Sequence, residues 1–580
     1  MNTSSATTWT RQPIAIVGMA CRFAGADSPE ALWEVVRRGQ ETTSETPRSR
    51  YDVDALYSPT PRAGTVSARR AGYLTGIAEF DAPFFGVPPT EAKSIDPQHR
   101  LALMVAWEAL EDAGIPASDI ARSRTGVYFG VSYDDYFDLL TRGGLRSIDV
   151  PALGNLRSLL PARVSYFLDL RGPSLCVDTA CSSSLVALHL AVQSLRAGEC
   201  GAALVGGVNL KLVPDRDVLF SRARVLAPDG RCKFGDAAAD GAAFSEGVGV
   251  VVLKPLERAL ADGDRVRAIV LGSAVSNDGA SSGSLLTPSV EGHVEMLRWA
   301  YENAGMEPSE VDFVEAHGTG TQMIDPVEFA GLAEVLGPGR ETERPCFVGS
   351  VKSNIGHTES AAGVAGLIKT VLCLEHREIV PSLHFTDPNP AIDWQSIPLV
   401  VPTAARPLPE RGRPAVAGVS GQGISSVNAH VVLAEADPPS ARRKPAQEGR
   451  VHLLPLSARS PEALRALANT CLAYLGPGGA GHLEELRDIC FSAAVRREHH
   501  QHRLAVAGKD HREMAERLRS WLDGADSPRT SHDGPVADYV AGGDPGWADL
   551  VEEGGRYVPL PRYPWQNQHY WLDRTEEDMP

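Results

Sequence analysis

Between residues 13 and 435, short aliphatic and β-branched runs alternate with small-residue stretches of helical spacing. Ile14 to Val17, Gly126 to Phe129, Leu204 to Gly207, Val248 to Leu253, Ala268 to Leu271 and Val311 to Val314 are apolar on successive positions. Strands covered on both faces read this way, so the pattern predicts an α/β fold with a buried sheet built from βαβ units. The pattern breaks at Asp437 to Glu448 (DPPSARRKPAQE), whose three Pro and three adjacent basic residues mark a linker. Beyond it, Leu453 to Leu456 predicts a strand. Ser460 and Pro461 then open a helix with Leu464, Leu467, Cys471, Leu472 and Leu475 on one face and Gly476 after its last turn. A second helix over 485–495 and a strand over Leu504 to Val506 complete a small α/β unit. A Gly/Asp/Ser-rich stretch from Gly524 to Pro545 leads to the aromatic tail YVPLPRYPWQNQHYWL. The expected units are therefore 12–436, 437–530 and 531–580. No internal sequence repeat is visible, which leaves a structural duplication open.

Charge narrows the function. The 580 residues carry 56 Lys+Arg against 73 Asp+Glu, a net charge of −17. That balance opposes a broad nucleic-acid or anionic-membrane surface, since both require clustered cations. The longest aliphatic run is too short to span a bilayer and the first eleven residues lack an apolar targeting core, so a cytoplasmic protein is expected. Nine scattered Cys without a CxxC pair fit neither a disulfide framework nor a zinc site. Most are expected to be small buried hydrophobes.

Three segments carry chemistry. In SLCVDTACSSSLVALHL, Leu175 to Val177 suits a buried strand and Leu185, Leu188, Val192 and Leu195 give the core face of a helix, which puts Cys181 at the corner between them. Backbone N–H groups and the positive helix end there favour thiolate over thiol. In VDFVEAHGTGTQ, His317 follows a strand and precedes a hydroxyl-lined Gly-Thr-Gly-Thr loop. In VGSVKSNIGHTESAAG, Lys352 and His357 follow a strand near Phe347 to Val351, and His357 opens a Gly/Ala-rich helix. Each segment alone also suits tight packing. Together, one Cys and two His at strand ends resemble a nucleophile with acid/base and oxyanion partners.

The motifs DTACSSS, EAHGTGT and KSNIGH resemble those of β-ketoacyl synthases of the thiolase superfamily, in the modular type I polyketide synthase branch. GMACRFAGA (Gly18 to Ala26), IDPQHR (Ile95 to Arg100), APDGRCK (Ala227 to Lys233), EGVGVVVL (Glu246 to Leu253) and SVNAHVVL (Ser426 to Leu433) extend the resemblance over nearly the whole chain. It implies a thiolase-like fold of duplicated αβαβα layers, a small α/β linker domain, and a wrapping C-terminal tail in which Tyr563, Trp565, Tyr570 and Trp571 grip a surface. It implies an acyl-transferring enzyme of secondary metabolism and antibiotic biosynthesis. In that enzyme Cys181 accepts an acyl chain from a phosphopantetheine thioester on an acyl carrier protein. His317 and His357 assist decarboxylation of a malonyl-type extender and stabilise oxyanions, with Lys352 supporting the site's electrostatics. The backbone N–H groups of Cys181 and Ile424 form the oxyanion hole, Thr319 and Thr321 hold the pantetheine arm, and Gln422, Gly423, Ile424, Ser425 and Ser426 form a gating loop. The phosphopantetheine arrives on the carrier, so the chain binds no cofactor or metal of its own, and a homodimer is implied, with a strand edge or Gly126 to Ser132 as a candidate contact.

Several positions depart from the pattern. The gate usually reads SFGISGTNAH and here reads GQGISSVNAH, with Gln422, Ser426 and Val427 replacing Phe, Gly and Thr. Ser426 is expected to stiffen the gate and Gln422 to put an amide where a ring would exclude water. Ile324 replaces a Gly, and Leu156, Arg157, Leu159, Leu160 and Pro161 are bulkier than the usual residues. Gly366 stands nine residues after the second His, where a fatty-acid-type synthase carries Glu. No GHSxG acyltransferase motif occurs, so a free-standing ketosynthase with a trans-acting acyltransferase is expected. One alternative is a stand-alone ketosynthase closing an intramolecular carbon–carbon bond, resembling those that form β-lactones of the salinosporamide type; another is a non-elongating scaffold that passes chains. Finally, REHHQHR, with His499, His500 and His502 among Arg496, Arg497 and Arg503, reads as a solvated basic patch suited to an acidic carrier rather than as a metal site.

Overall fold

In the computed structural model, residues 12–142, 153–341, 343–436, 449–524, 534–551 and 554–572 are described. The linker sequence Asp437 to Glu448 and part of the Gly524 to Pro545 stretch lie outside them. Eleven strands form one mixed sheet: β1 (Ile14–Phe23), β2 (Thr125–Gly130), β3 (Ser174–Val177), β4 (Ala202–Asn209), β5 (Gly247–Pro255), β6 (Ala268–Asn277), β7 (Phe313–Glu315), β8 (Cys346–Gly349), β9 (Leu399–Val400), β10 (Val416–Gln422) and β11 (Val427–Glu435). Their order is β9-β8-β7-β10-β11-β6-β1-β5-β4-β2-β3.

The order contains the duplication that the sequence conceals. In the first half β1 pairs antiparallel with β5 and β5 with β4, while β4–β2 and β2–β3 are parallel. In the second, β6–β11 and β11–β10 are antiparallel, while β10–β7 and β7–β8 are parallel. The halves meet where Ile14 to Ile16 pair with Ala268 to Val270.

Helices complete five layers: α1 (Pro97–Ala113) covers the outer face of the first half, α2 (Ser183–Arg196) lies between the halves, and α3 (Asp215–Ala223) follows β4. On the second half, α4 (Val290–Ala304) and α5 (Ile324–Leu336) cover the outer face, and α6 (Ala362–His376) joins α2 in the central layer. A helix sandwiched between sheets must be apolar all round, and Ala362 to Leu374 are all buried. Close approach is made possible by small residues. A Cβ on Gly363 would lie 2.5 Å from Leu185 Cγ, and one on Gly18 would lie 2.4 Å from the Ala109 carbonyl of α1. No described helix is long and apolar enough to cross a membrane.

Two sequence expectations change here. The strand at Leu175 to Val177 is an edge strand rather than a buried one, with Leu175 44% exposed, whereas Gly126 to Phe129 lies inside the sheet between β3 and β4 and offers no free edge. The strands before His317 and Lys352 are shifted slightly, to Phe313–Glu315 and Cys346–Gly349.

Beyond the core, β12 (His452–Ala458) and β13 (His502–Gly508) form an antiparallel pair backed by α7 (Pro461–Leu475) and α8 (Leu486–Val495). Ser460 caps α7, its Oγ accepting from the Ala463 N–H at 3.1 Å. This unit shares one hydrophobic core with α1 and with the tail. Tyr557 donates to the Glu111 and Asp112 carbonyls that end α1, both at 2.9 Å, and Trp565 Nε1 donates to Glu108 at 2.7 Å. Tyr563 and Trp565 pack on Phe84, with ring centroids 4.6 and 4.8 Å away. Tyr570 is buried and Trp571 meets the Tyr136 ring. The aromatic residues therefore work as expected, as packing.

The basic segment does not. Arg497 is partly buried, pairs with Glu111, and donates to the Leu560 and Pro561 carbonyls at 2.9 Å. Arg496 pairs with Asp264 at 2.9 Å, and Arg503 donates to the Gly543 carbonyl at 2.7 Å. His499 bonds Tyr539 at 2.8 Å, and His500 packs against Trp107. The charge run alone suggested solvent; its ion pairs, carbonyl contacts and ring contacts with distant partners hold it in the seam between core, linker unit and tail.

Arg497→Ala would leave Glu111 unpaired in that seam at a cost of about 3 kcal/mol. The expected outcome is a lower thermal midpoint together with faster limited proteolysis of the tail, read by mass spectrometry; unchanged cleavage would show that the tail docks without it.

Candidate active site

Four segments that end strands of both halves converge on one cavity of ≈ 480 Å³. Cys181 follows β3, His317 follows β7, His357 follows β8, and Gln422 ends β10. Cys181, His317, Thr319, Thr321, His357, Gln422, Gly423, Ile424 and Ser426 all line it. The remaining walls are largely apolar, with Phe220, Leu285, Leu286 and Met323 toward the mouth.

The turn carrying Cys181 is locked by its own hydroxyls. The Thr179 N–H donates to Ser183 Oγ at 2.9 Å, and Ser182 Oγ donates to the Thr179 carbonyl at 2.9 Å. Ala180 takes φ 57°, a left-handed backbone that swings the next residue out of the helix and into the cavity. The backbone N–H groups of Ile424 and of Cys181 itself hydrogen-bond the sulfur, and Lys352 adds a positive field. These do not prevail. Enclosure of the sulfur, followed by the nearby Glu359 carboxylate, pushes the thiol up to about 12. The expectation of a helix-stabilised thiolate is therefore corrected: at neutral pH the resting group is the thiol.

Both imidazoles are neutral. Burial first, then the Lys352 charge, holds His317 and His357 well below the usual histidine range. Their tautomers follow from the hydrogen bonds. His317 Nδ1 accepts from the Gln422 N–H at 3.2 Å, and His357 Nδ1 accepts from the Glu359 N–H at 3.2 Å. Each ring thus keeps its proton on Nε2. The rings stand edge to face with centroids 5.4 Å apart, and Phe244 stacks on His357. Two donors facing one small volume can bind an oxyanion or an enolate.

Carboxylates that the motif reading passed over hold this geometry. Glu328 accepts from the His317 and Gly318 N–H groups at 2.7 and 2.8 Å. Asp325 accepts from Gly320, Thr321 and Gly235 at 3.2, 3.3 and 2.9 Å. Burial pushes both acids up to about 7. Their i, i+3 spacing on α5 put them on one helix face, a signal present in the sequence. Glu315 accepts from the Val351 N–H at 2.6 Å and pairs with Lys369. A Cβ on Gly366 would lie 2.9 Å from Glu315 Cγ, so Glu315 occupies the space that a side chain such as the Glu of a fatty-acid-type synthase would need at 366. Lys352 is buried and pushed down by that burial, against the pull of Glu315 and Glu328. Thr319 and Thr321 face each other, their hydroxyls 3.3 Å apart.

The loop from Gln422 to Ser426 is built from its departures. Gln422 Nε2 donates to His293 Nδ1 at 2.8 Å, so the amide is tied to a buried ring instead of recruiting water. Ser426 occupies φ 60°, and its Oγ donates to the Leu285 carbonyl at 2.7 Å. The left-handed backbone and the bonded hydroxyl both restrict Ser426 itself. Ser425 Oγ donates to the Thr179 carbonyl at 3.1 Å, and a Cβ on Gly423 would lie 2.2 Å from that same oxygen.

Comparison with known proteins agrees with this arrangement. Residues 11–259 match the β-ketoacyl synthase N-terminal domain, 267–386 its C-terminal domain, and 452–518 the CurL-like polyketide synthase C-terminal family. The chain is 44% identical over 525 residues to the spectinabilin polyketide synthase system protein NorC of Streptomyces orinoci, covering 88% of this chain and 23% of that one. It is 42% identical over 549 residues to the polyketide synthase GfsA of Streptomyces halstedii, covering 92% of this chain and 7% of that one. It therefore spans under a quarter of the length of either. Among solved structures, an oxazolomycin ketosynthase domain of Streptomyces albus JA3453 superposes with a TM-score of 0.91 at 36% identity, over 98% of this chain and all of that one. The ketosynthase from module 6 of the bacillaene synthase of Bacillus subtilis 168 gives 0.87 at 34%, over 97% and all. A thiolase-like fold, a Cys and two neutral His on one cavity, and these likenesses place the chain in the β-ketoacyl synthase family of the polyketide synthases, an acyl-transferring class of enzyme.

Proposed function

We propose that the chain takes an acyl group from a phosphopantetheine thioester on an acyl carrier protein onto Cys181 and joins it to a malonyl-type extender by decarboxylative Claisen condensation. The observation that carries this reading is the pair of neutral imidazoles with their Nε2 protons beside the thiol. Decarboxylation leaves an enolate oxygen, and carbon–carbon bond formation leaves a tetrahedral oxyanion; donors preset for such charge lower the barrier most in an enclosed site. His317 and His357 serve the enolate, while the Cys181 and Ile424 N–H groups serve the oxyanion of the acyl carbonyl. Thr319 and Thr321 hold the pantetheine arm, and Lys352 keeps the imidazoles neutral. The gate, Gln422 to Ser426, covers the acyl chain. The cofactor is the carrier's phosphopantetheine. The extender is loaded by an acyltransferase supplied outside these residues, which carry no GHSxG motif.

A second reading is favoured by the gate. The Gln422–His293 bond and the fixed Ser426 hydroxyl replace a mobile aromatic flap by a rigid polar wall. Such a wall suits holding one functionalised chain while it closes an intramolecular carbon–carbon bond and leaves Cys181. A homodimer is the assembly we infer, formed at the outer edge of β3, where Leu175 is exposed and Tyr166 is 89% exposed.

An acyl carrier thioester with and without malonyl carrier, analysed by mass spectrometry, is expected to give an acyl adduct on Cys181 and a two-carbon gain with loss of carbon dioxide. Cys181→Ala should take up no acyl group. His317→Ala and His357→Ala should still load but condense on the order of 100-fold more slowly. An unextended cyclic product would replace the first reading by the second, and no adduct at all would sink both. For the assembly, Leu175→Lys is expected to yield a monomer in light scattering; a persisting dimer would place the interface elsewhere.

A further inference from the structure

The proposed loading of Cys181 leaves one proton without a destination. The thiol must lose it as the acyl group arrives, and the departing pantetheine sulfur must gain one. Neither imidazole can take it, because each Nδ1 is occupied by a backbone N–H and each Nε2 already carries hydrogen. Another group on the cavity wall has a free acceptor capacity.

Glu359 lies on that wall, 3% exposed, between His357 and α6. It holds φ 47°, a left-handed backbone costly for a residue with a Cβ, and this turn aims its N–H at His357 Nδ1 while the residue borders the cavity. The groups facing it come from every neighbouring element. Arg216 of α3 pairs with it at 3.1 Å and Asn209 of β4 donates to it at 3.1 Å. Tyr133, after β2, donates its hydroxyl to it, while Lys211, Asp217, Cys181 and His357 complete the surroundings. Behind it runs a buried chain of charges. Arg216 also pairs with Asp135 at 2.9 Å, Lys211 with Asp217 at 2.8 Å, and Arg50 with Glu246 at 2.7 Å. Four carboxylates thus share three cations, and among the four only Glu359 lines the cavity. A buried carboxylate in a cluster with more acids than cations binds a proton more readily than one in water, and Glu359 is the member of this cluster that borders the cavity.

We propose that Glu359 is the general base for Cys181 in acyl loading. The carboxylate accepts the thiol proton as the Sγ–carbon bond forms and the thioester carbon–sulfur bond breaks, then returns that proton to the released pantetheine thiolate. No other reactant is needed. This rests on the acyl-loading reading above.

The test measures two rates across pH on the full chain: alkylation of Cys181 by iodoacetamide, and acyl transfer from hexanoyl-N-acetylcysteamine. In Glu359→Gln the missing negative charge should move the alkylation midpoint to lower pH, while loss of the base slows acyl transfer about 100-fold. The two readouts move in opposite directions. Glu359→Asp, which keeps the carboxylate, should recover most of the transfer rate and the wild-type midpoint. A structural role would lower both rates together in both variants, and a purely electrostatic role would raise both in Glu359→Gln; either outcome overturns the proposal. If wild-type chain takes no acyl group from the thioester, the loading reading fails, and an unmoved alkylation midpoint separately overturns the link between Glu359 and Cys181.

Discussion

The site depends on how closely two central helices approach. α2 and α6 belong to different halves of the duplicated sheet, and Ser184 Oγ accepts the Val364 N–H at 3.1 Å where they meet. Gly363 faces Leu185 with no room for a Cβ, and Gly207 lies under the same contact against Ser184 and Ser360. Cys181 precedes one helix and His357 precedes the other, so this contact decides whether the two share a cavity. A single added methyl there would drive the helices apart and separate residues that never touch it.

Enclosure then sets the chemistry. Burial raises the thiol and lowers both imidazoles, so these three groups rest uncharged. A neutral site costs less to bury than an ion pair and keeps its hydrogen-bond donors available for charge that appears only during reaction. The helix end beside Cys181 is real, and so are the two N–H groups at the sulfur, yet they are outweighed at rest. In the proposed reaction their effect is felt when an acyl oxygen, not a sulfur, takes the negative charge.

Much of this was legible in the chain. Motif spacing placed Cys181, His317 and His357 on one site, and the capped helix at Ser460 formed as its residues dictate. The duplication was not legible, because two halves can share strand order and sense while sharing almost no side chains. Depth in the sheet was misread at Leu175 to Val177, where three apolar-leaning residues look alike at an edge and in a centre. The Arg496, Arg497 and Arg503 cluster was misread because a charge run carries no information about partners more than 380 residues away in sequence, such as Glu111. Glu359 escaped notice because a carboxylate two residues past a histidine has no periodicity to announce it.

The wrapped tail has a consequence for how such a unit can be cut. α1 is covered by sheet on one side and by linker unit and tail on the other, and Phe84, Phe85, Trp107 and Phe167 form a continuous aromatic surface beneath Tyr563 and Trp565. A truncation at the end of β11 would keep every catalytic side chain and still turn that surface outward, as a sticky patch of the kind that drives association. The usable boundary for transplanting the unit therefore lies past Trp571, where the last aromatic contact is made, and is dictated by solubility rather than by chemistry.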